Sequence, residues 1–184
     1  MARKLESRDL LWWTATLLVF PLAGLAGRGV AGPVDAVWTA FLAGAVAGLV
    51  IGVAQWLALR RIGADARWIA ATAAGLAVGL GLAYAIFGYG DTVGDLAVIG
   101  AVSGLGIGTA QWWLLRGFVD GSLVWIPATA AAWALGWTVT TAIGVDPENR
   151  WANPGLSGAA TLTVILGAVL WVLARSSPRD APSA

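Results

Sequence analysis

Gly44-Ala-Val-Ala-Gly48-Leu-Val-Ile-Gly52-Val-Ala-Gln55-Trp56-Leu-Ala-Leu-Arg60 is answered 56 residues later by Gly100-Ala-Val-Ser-Gly104-Leu-Gly-Ile-Gly108-Thr-Ala-Gln111-Trp112-Trp-Leu-Leu-Arg116. The glycines recur every fourth residue and the glutamine follows three later, so on a helix all four share one stripe. A glycine stripe inside an apolar run lets two helices approach until they gain dispersion contacts that lipid does not supply. The stretch predicts an all-α, polytopic membrane protein packed through glycine zippers.

Composition agrees. The chain is 59% hydrophobic and 11% charged, with a mean hydropathy of +0.78, against roughly 25% charged in soluble domains. Charges cluster in short stretches and leave six apolar spans: 10–27, 34–59, 68–87, 92–115, 125–145 and 157–174. About 18 residues or more at 1.5 Å each cross ~30 Å of hydrocarbon. Nine of the eleven Lys and Arg residues fall on one side of this topology (Arg3, Lys4, Arg8, Arg60, Arg61, Arg67, Arg116, Arg175, Arg179) and two on the other (Arg28, Arg150). The positive-inside rule then puts both termini in the cytoplasm.

Smaller echoes extend the repeat to the whole chain. Trp12-Trp-Thr-Ala-Thr16 aligns with Trp68-Ile-Ala-Ala-Thr72 and with Trp125-Ile-Pro-Ala-Thr129. Gly167-Ala-Val-Leu170-Trp171-Val-Leu-Ala-Arg175 aligns with Gly52 to Arg60, and Ala159 and Thr163 fill the earlier small-residue slots. Three tandem hairpins follow, at 10–61, 66–117 and 124–175, within one membrane domain 1–175 and before a disordered cytoplasmic tail 176–184. The first span looks like a signal peptide, with a basic start and a small-residue exit, but its place in the repeat argues for a retained helix. Parallel repeats are most simply related by an axis along the membrane normal. The surface expected to receive the zippers is Ala71, Gly75, Gly79 and Ala83, with Ala128, Ala132, Gly136 and Thr140 in the third hairpin; the first hairpin should pack less tightly.

Several residues are candidates for function. Trp56 with Arg60, Trp112 with Arg116 and Trp171 with Arg175 read as interfacial anchors, or as a site for anionic lipid headgroups. Trp12, Trp68 and Trp125 are placed in the same headgroup layer. Gln55 and Gln111 lie about 7 Å inside their arginines on the packing stripe. They are either interhelical clamps or the lining of a polar vestibule, and Leu170 in the third slot denies a threefold polar ring. Trp133 and Trp137 lie deeper, roughly 12 and 18 Å beyond Trp125, as packing or as walls for an apolar or planar ligand. Asp35 and Asp91 read as helix caps, and Asp95 is the one carboxylate near the membrane edge.

The tandem Gln-Trp-x2-Leu-Arg motif behind glycine stripes resembles a group of small bacterial membrane proteins with no established activity. The resemblance implies a bacterial inner-membrane location and transfers no site. Twelve tryptophans invite comparison with the tryptophan-rich sensory proteins, whose signature is missing. The zippers resemble those of rotary-ATPase c-subunits, whose midmembrane carboxylate is missing too.

The chain has no Cys and no His, which removes disulfides, thiol nucleophiles and the usual zinc or haem ligation. No cofactor, no metal and no nucleic-acid partner is expected. Asp35, Asp91, Asp95, Asp146 and Glu148 lack a second group spaced for acid–base work, so an enzyme is not expected. The remaining readings are a non-catalytic membrane protein that binds an apolar ligand or lipid, or serves as an accessory subunit of a homo-oligomer or larger complex. The alternative is a small-solute, ion or lipid transporter or channel, for which Thr138, Thr140, Thr141, Thr161 and Thr163 would form a polar seam.

Overall fold

Six helices long and apolar enough to cross a membrane make up the computed structural model: α1 Ser7–Ala31, α2 Val37–Ile62, α3 Arg67–Phe87, α4 Val93–Leu115, α5 Ser122–Ala142 and α6 Leu156–Arg175. The structure describes residues 6–117, 119–144 and 151–176, and no strand occurs among them. Arg3, Lys4, Asp146, Glu148, Arg150, Arg179 and the tail from 177 lie outside the described residues. Every helix presents apolar side chains outward (Leu22, Phe41, Leu82, Leu105, Leu135 and Val164, one from each). Such a surface suits a bilayer, where backbone polar groups must be satisfied within the helices.

Each helix packs antiparallel on the next in sequence, and α6 returns to α1, so the bundle closes on itself. The α2–α3, α4–α5 and α3–α4 seams are the most extensive, whereas α1 lies more loosely on α2 and α6. Each of the three most extensive seams has glycine at its crossing. A Cβ on Gly48 would lie 2.7 Å from Ala73 Cα, and one on Gly104 would lie 2.7 Å from Ala130 Cα. Gly44 and Gly52 face Ala77 and Ile69 of α3 in the same way, and Gly100 and Gly108 face Trp133 and Ile126 of α5.

The stripes of α2 and α4 thus each meet the next helix in sequence, on residues other than those expected. Gly75 and Gly79 of α3 turn instead to Ile107 and Ser103 of α4, with Gly106 of α4 against Gly75 and Gly79. Two faces of α3 are used because its small residues recur on both sides of the helix. Gly167 differs from the other stripe glycines, since its missing Cβ leaves room for the Trp13 indole, 3.0 Å away at Cδ1.

The first helix departs from the pattern expected of it. Pro21 lacks an N–H and crowds the carbonyl four residues earlier, and the helix tightens to 3-10 geometry over Thr16–Val19. Going from 3.6 to 3.0 residues per turn adds about 20° per residue, or about 80° over the segment, close to the 100° step of an α-helix. The inward position therefore slips by one residue. Trp13, not Trp12, is buried at 1% exposure, while Trp12 is 56% exposed. The threonine hydroxyls record the same slip: Thr72 and Thr129 donate to carbonyls four residues back, whereas Thr16 donates to Trp13 O, three back.

Two further helix starts differ from expectation. Ala36 precedes α2, with Thr39 Oγ1 accepting from its N–H, and Asp35 is exposed and accepts from the Thr39 hydroxyl. Thr92, not Asp91, caps α4 and accepts from Asp95 N–H at 3.1 Å, while Asp95 accepts the Thr92 hydroxyl proton at 2.6 Å. A threonine followed three residues later by a carboxylate satisfies two free N–H groups at once, so Asp95 has a structural task at the surface. At the arginine-rich end, Gly63 reverses the chain at φ 104°, a left-handed conformation that favours glycine. Beside it the Asp65 carboxylate accepts from the Arg67 backbone N–H and guanidinium, which hold its pKa below the ordinary 3.8.

Candidate functional site

Three indoles, one each from α1, α3 and α5, meet in the interior. Trp125 lies 6.3 Å from Trp13 and 6.3 Å from Trp68, centroid to centroid. All three are at most 1% exposed. An indole N–H only donates, and a buried donor without an acceptor costs free energy. Trp68 Nε1 donates to Gln55 Oε1 at 3.1 Å, and Trp125 Nε1 donates to Gln111 Oε1 at 2.9 Å. The amide protons of Gln111 then go to Gln55 Oε1 at 3.0 Å and Thr72 Oγ1 at 2.9 Å.

This network buries Trp68 and Trp125 between the helices, because the glutamines supply acceptors for their N–H groups. It also consumes the glutamines, 5% and 1% exposed. Both side chains are engaged between helices, the arrangement expected of interhelical clamps. Where Leu170 stands in the third slot, Trp13 Nε1 donates instead to the main-chain carbonyl of Thr163 at 2.9 Å.

The Trp–Arg pairs do sit at one end of the bundle. Arg60 lies 5.8 Å over the Trp56 ring, Arg116 lies 5.6 Å from Trp112, and Arg175 lies 4.1 Å from Trp171. Arg116 is closer still to Trp113, at 3.3 Å. All three arginines are exposed. Such stacking orients a cation at an interface while leaving its N–H groups to solvent or lipid.

A cavity of about 300 Å³ opens in the other half of the molecule. Its walls come from the second half of α1 (Phe20, Pro21, Gly24, Leu25), from α5 (Trp137, Thr140) and from the segment leading into α6 (Trp151 and Asn153 to Leu156). Pro21 and the aromatic rings make it almost wholly apolar, and no charged side chain lines it among the described residues. Of the two deep tryptophans, Trp137 lines this cavity, whereas Trp133 lies behind it against Phe20 at 6.2 Å. Trp137 turns its pyrrole edge away, with Cδ1 2.7 Å from where a Gly100 Cβ would be. Arg28 sits 5.3 Å over the outer wall residue Trp151.

Asn153 anchors the segment that closes this cavity. Its Nδ2 donates to Phe20 O and Pro154 O, both at 3.0 Å. Its Oδ1 is buried without a hydrogen-bond partner, although the residue is only 4% exposed. Of the threonines of the expected seam, Thr138, Thr141 and Thr161 bond back to their own helices, and Thr140 Oγ1 accepts from Gly158 N–H.

Sequence reasoning reached Trp137 but missed Phe20, Gly24, Trp151 and Asn153. The Pro–Gly-rich segment around 151–155 reads in sequence as an ordinary turn that needs no functional explanation. No group of three or more acidic side chains that could hold a metal occurs among the described residues. In comparisons with known proteins, the chain matches no family model, no curated protein and no solved structure.

Proposed function

We propose that this is a non-catalytic, multi-pass membrane protein that holds one small apolar molecule in the cavity between α1, α5 and α6. The observation that carries the reading is the cavity itself. Roughly 300 Å³ is the lower end of the range for ligand pockets, which are characteristically apolar with few polar groups. A tightly glycine-packed bundle has no packing reason to leave such a volume empty. Its uncharged walls favour a neutral occupant, because an ionised group would be buried without a counter-charge.

The same reading takes the architecture as three tandem hairpins around a pseudo-threefold axis, joined through glycine zippers between successive hairpins. The 56-residue recurrence and the shared partnership of Gln55 with Trp68 and Gln111 with Trp125 support it. The bundle sits in the bacterial inner membrane with its arginine-rich end and both termini in the cytoplasm. The stacked arginines 60, 116 and 175 face anionic lipid headgroups there. The test is gentle extraction, native mass spectrometry and identification of bound small molecules. A neutral apolar species is expected at one per chain, absent from a Leu25→Trp variant whose ring fills the cavity mouth. An empty wild-type protein refutes the reading.

A further inference from the structure

Resting on that reading, we infer that the cavity holds a rigid, fused-ring molecule drawn sideways from the bilayer and rejects flexible chains. Its mouth lies on the side of the bundle. Leu25 is 58% exposed and Leu156 is 49% exposed, and both line the cavity. Leu25 continues the outward stripe of Leu18 and Leu22 on α1, and it lies about 9 Å along the axis from the Ala31 end. A solute therefore reaches the mouth through hydrocarbon rather than through water.

Polar selection is closed off. Asn153 Oδ1 and Trp137 Nε1 have no hydrogen-bond partner among the described residues, and both atoms are buried within the protein rather than open to the cavity. The oxygen packs 3.3 Å from where a Cβ on Gly24 would be, and the pyrrole edge of Trp137 turns to Gly100. Thr140 is buried and accepts from Gly158 N–H. Arg28, over Trp151, is not a wall residue. What the wall offers is chiefly shape.

Lipid tails compete for such a cavity in great excess. Transfer from hydrocarbon to an apolar wall gains nothing from the hydrophobic effect, because the tails are themselves apolar. A tail also gives up rotamer freedom when a fixed cavity holds it. A fused-ring molecule has little such freedom to lose, so it displaces a tail at equal contact area. The back wall is fixed in this sense: Phe20 and Trp137 are buried and packed in place, and the Pro21 ring locks its own backbone.

The probe pair is tetradecahydroanthracene and n-tetradecane, two saturated hydrocarbons with the same number of carbons that differ in ring fusion. The full chain in lipid nanodiscs is equilibrated with equal amounts of both, and each hydrocarbon is counted against empty nanodiscs after gel filtration. The ring compound should be retained at one per chain above the empty discs, in about tenfold excess over tetradecane. Leu25→Trp and Leu156→Trp, on the two lips of the mouth, should each abolish that excess. Equal retention of the two, or a preference for tetradecane, overturns the inference while leaving the apolar-pocket reading intact. Retention of neither above the empty discs, or an excess that persists in both variants, overturns the inference and the pocket reading together. Unchanged elution and melting separates a filled mouth from a misfolded chain, and if one variant fails to fold the other decides.

Discussion

Gln111 donates to Gln55 across 3.0 Å at a point where each amide also accepts an indole proton. The two side chains, 56 residues apart in sequence, so tie α2, α3, α4 and α5 together at one buried junction. Replacing Gln111 by Leu strands the Trp125 N–H, whereas replacing Gln55 strands the Trp68 N–H and one Gln111 proton. Each change should cost about 1–2 kcal/mol, within the range for a buried unsatisfied group. The double Leu variant should cost less than the sum, because neither change then orphans the partner amide. Thermal unfolding of the three variants in detergent measures this, and strict additivity would contradict a shared network.

Trp13 and Trp125 are equally buried but unequally replaceable. Trp125→Phe leaves Gln111 Oε1 without its indole donor. Trp13→Phe leaves only Thr163 O, a helix carbonyl with its own main-chain donor available. Both substitutions shrink a buried indole to a phenyl ring, so their packing costs are alike. Trp125→Phe should therefore be the more destabilising by about 1 kcal/mol. Comparison of melting temperatures decides the order, and the reverse order would contradict the hydrogen-bond assignment.

The six spans and the glycine stripes were legible in the sequence because hydrophobic length and a four-residue spacing are local signals. What lay beyond it was which helix each stripe would meet. Spacing places Gly44, Gly48 and Gly52 on one face but says nothing of the neighbour, and α3 carries small residues on two faces. The one-residue slip from Trp12 to Trp13 was hidden by their adjacency, although Pro21 was the visible cause. The cavity was the least legible part, since it is assembled from Phe20, Gly24, Trp137 and Asn153, which no short-range pattern connects.

Glycines 29 and 104 make opposite predictions. A methyl group added at Gly29 would meet nothing within 4 Å, whereas a Cβ at Gly104 would lie 2.6 Å from Thr129 O and 2.7 Å from Ala130 Cα. Both obstructing atoms are main chain, so α4 and α5 must separate to admit it. Gly104→Ala should lower the melting temperature and Gly104→Ile should disperse the bundle, with Gly48→Ile behaving alike. Gly29→Ala should be neutral or slightly stabilising, since alanine favours a helix by about 1 kcal/mol over glycine. Size-exclusion profiles and melting curves provide the check, and wild-type stability in Gly104→Ile would sink the seam.

The absence of cysteine makes the topology directly measurable. Asp65 lies in the exposed turn at the arginine-rich end, and Asp91 is exposed at the opposite end before α4. Single Asp65→Cys and Asp91→Cys variants can be treated with a membrane-impermeant maleimide in intact cells. If the arginine-rich end is cytoplasmic, only position 91 labels before lysis and both label after it. Labelling of position 65 alone would invert the molecule.

Ser103 tests whether every buried polar atom in the bundle is useful. It is 0% exposed on α4, close to Gly79 of α3, and its hydroxyl has no hydrogen-bond partner among the described residues. Helical serines can bond back to a carbonyl one turn earlier. A hydroxyl that does not do so keeps its desolvation cost, about 1–3 kcal/mol, with nothing to offset it. Alanine keeps the small volume that the α3–α4 crossing demands and removes the oxygen. Ser103→Ala should therefore hold or raise the melting temperature, while Ser103→Val, which adds branches against the Gly79 backbone, should lower it. A clear loss of stability in the alanine variant would mean that the hydroxyl is paired in the folded protein, and that this seam is more polar than its packing suggests.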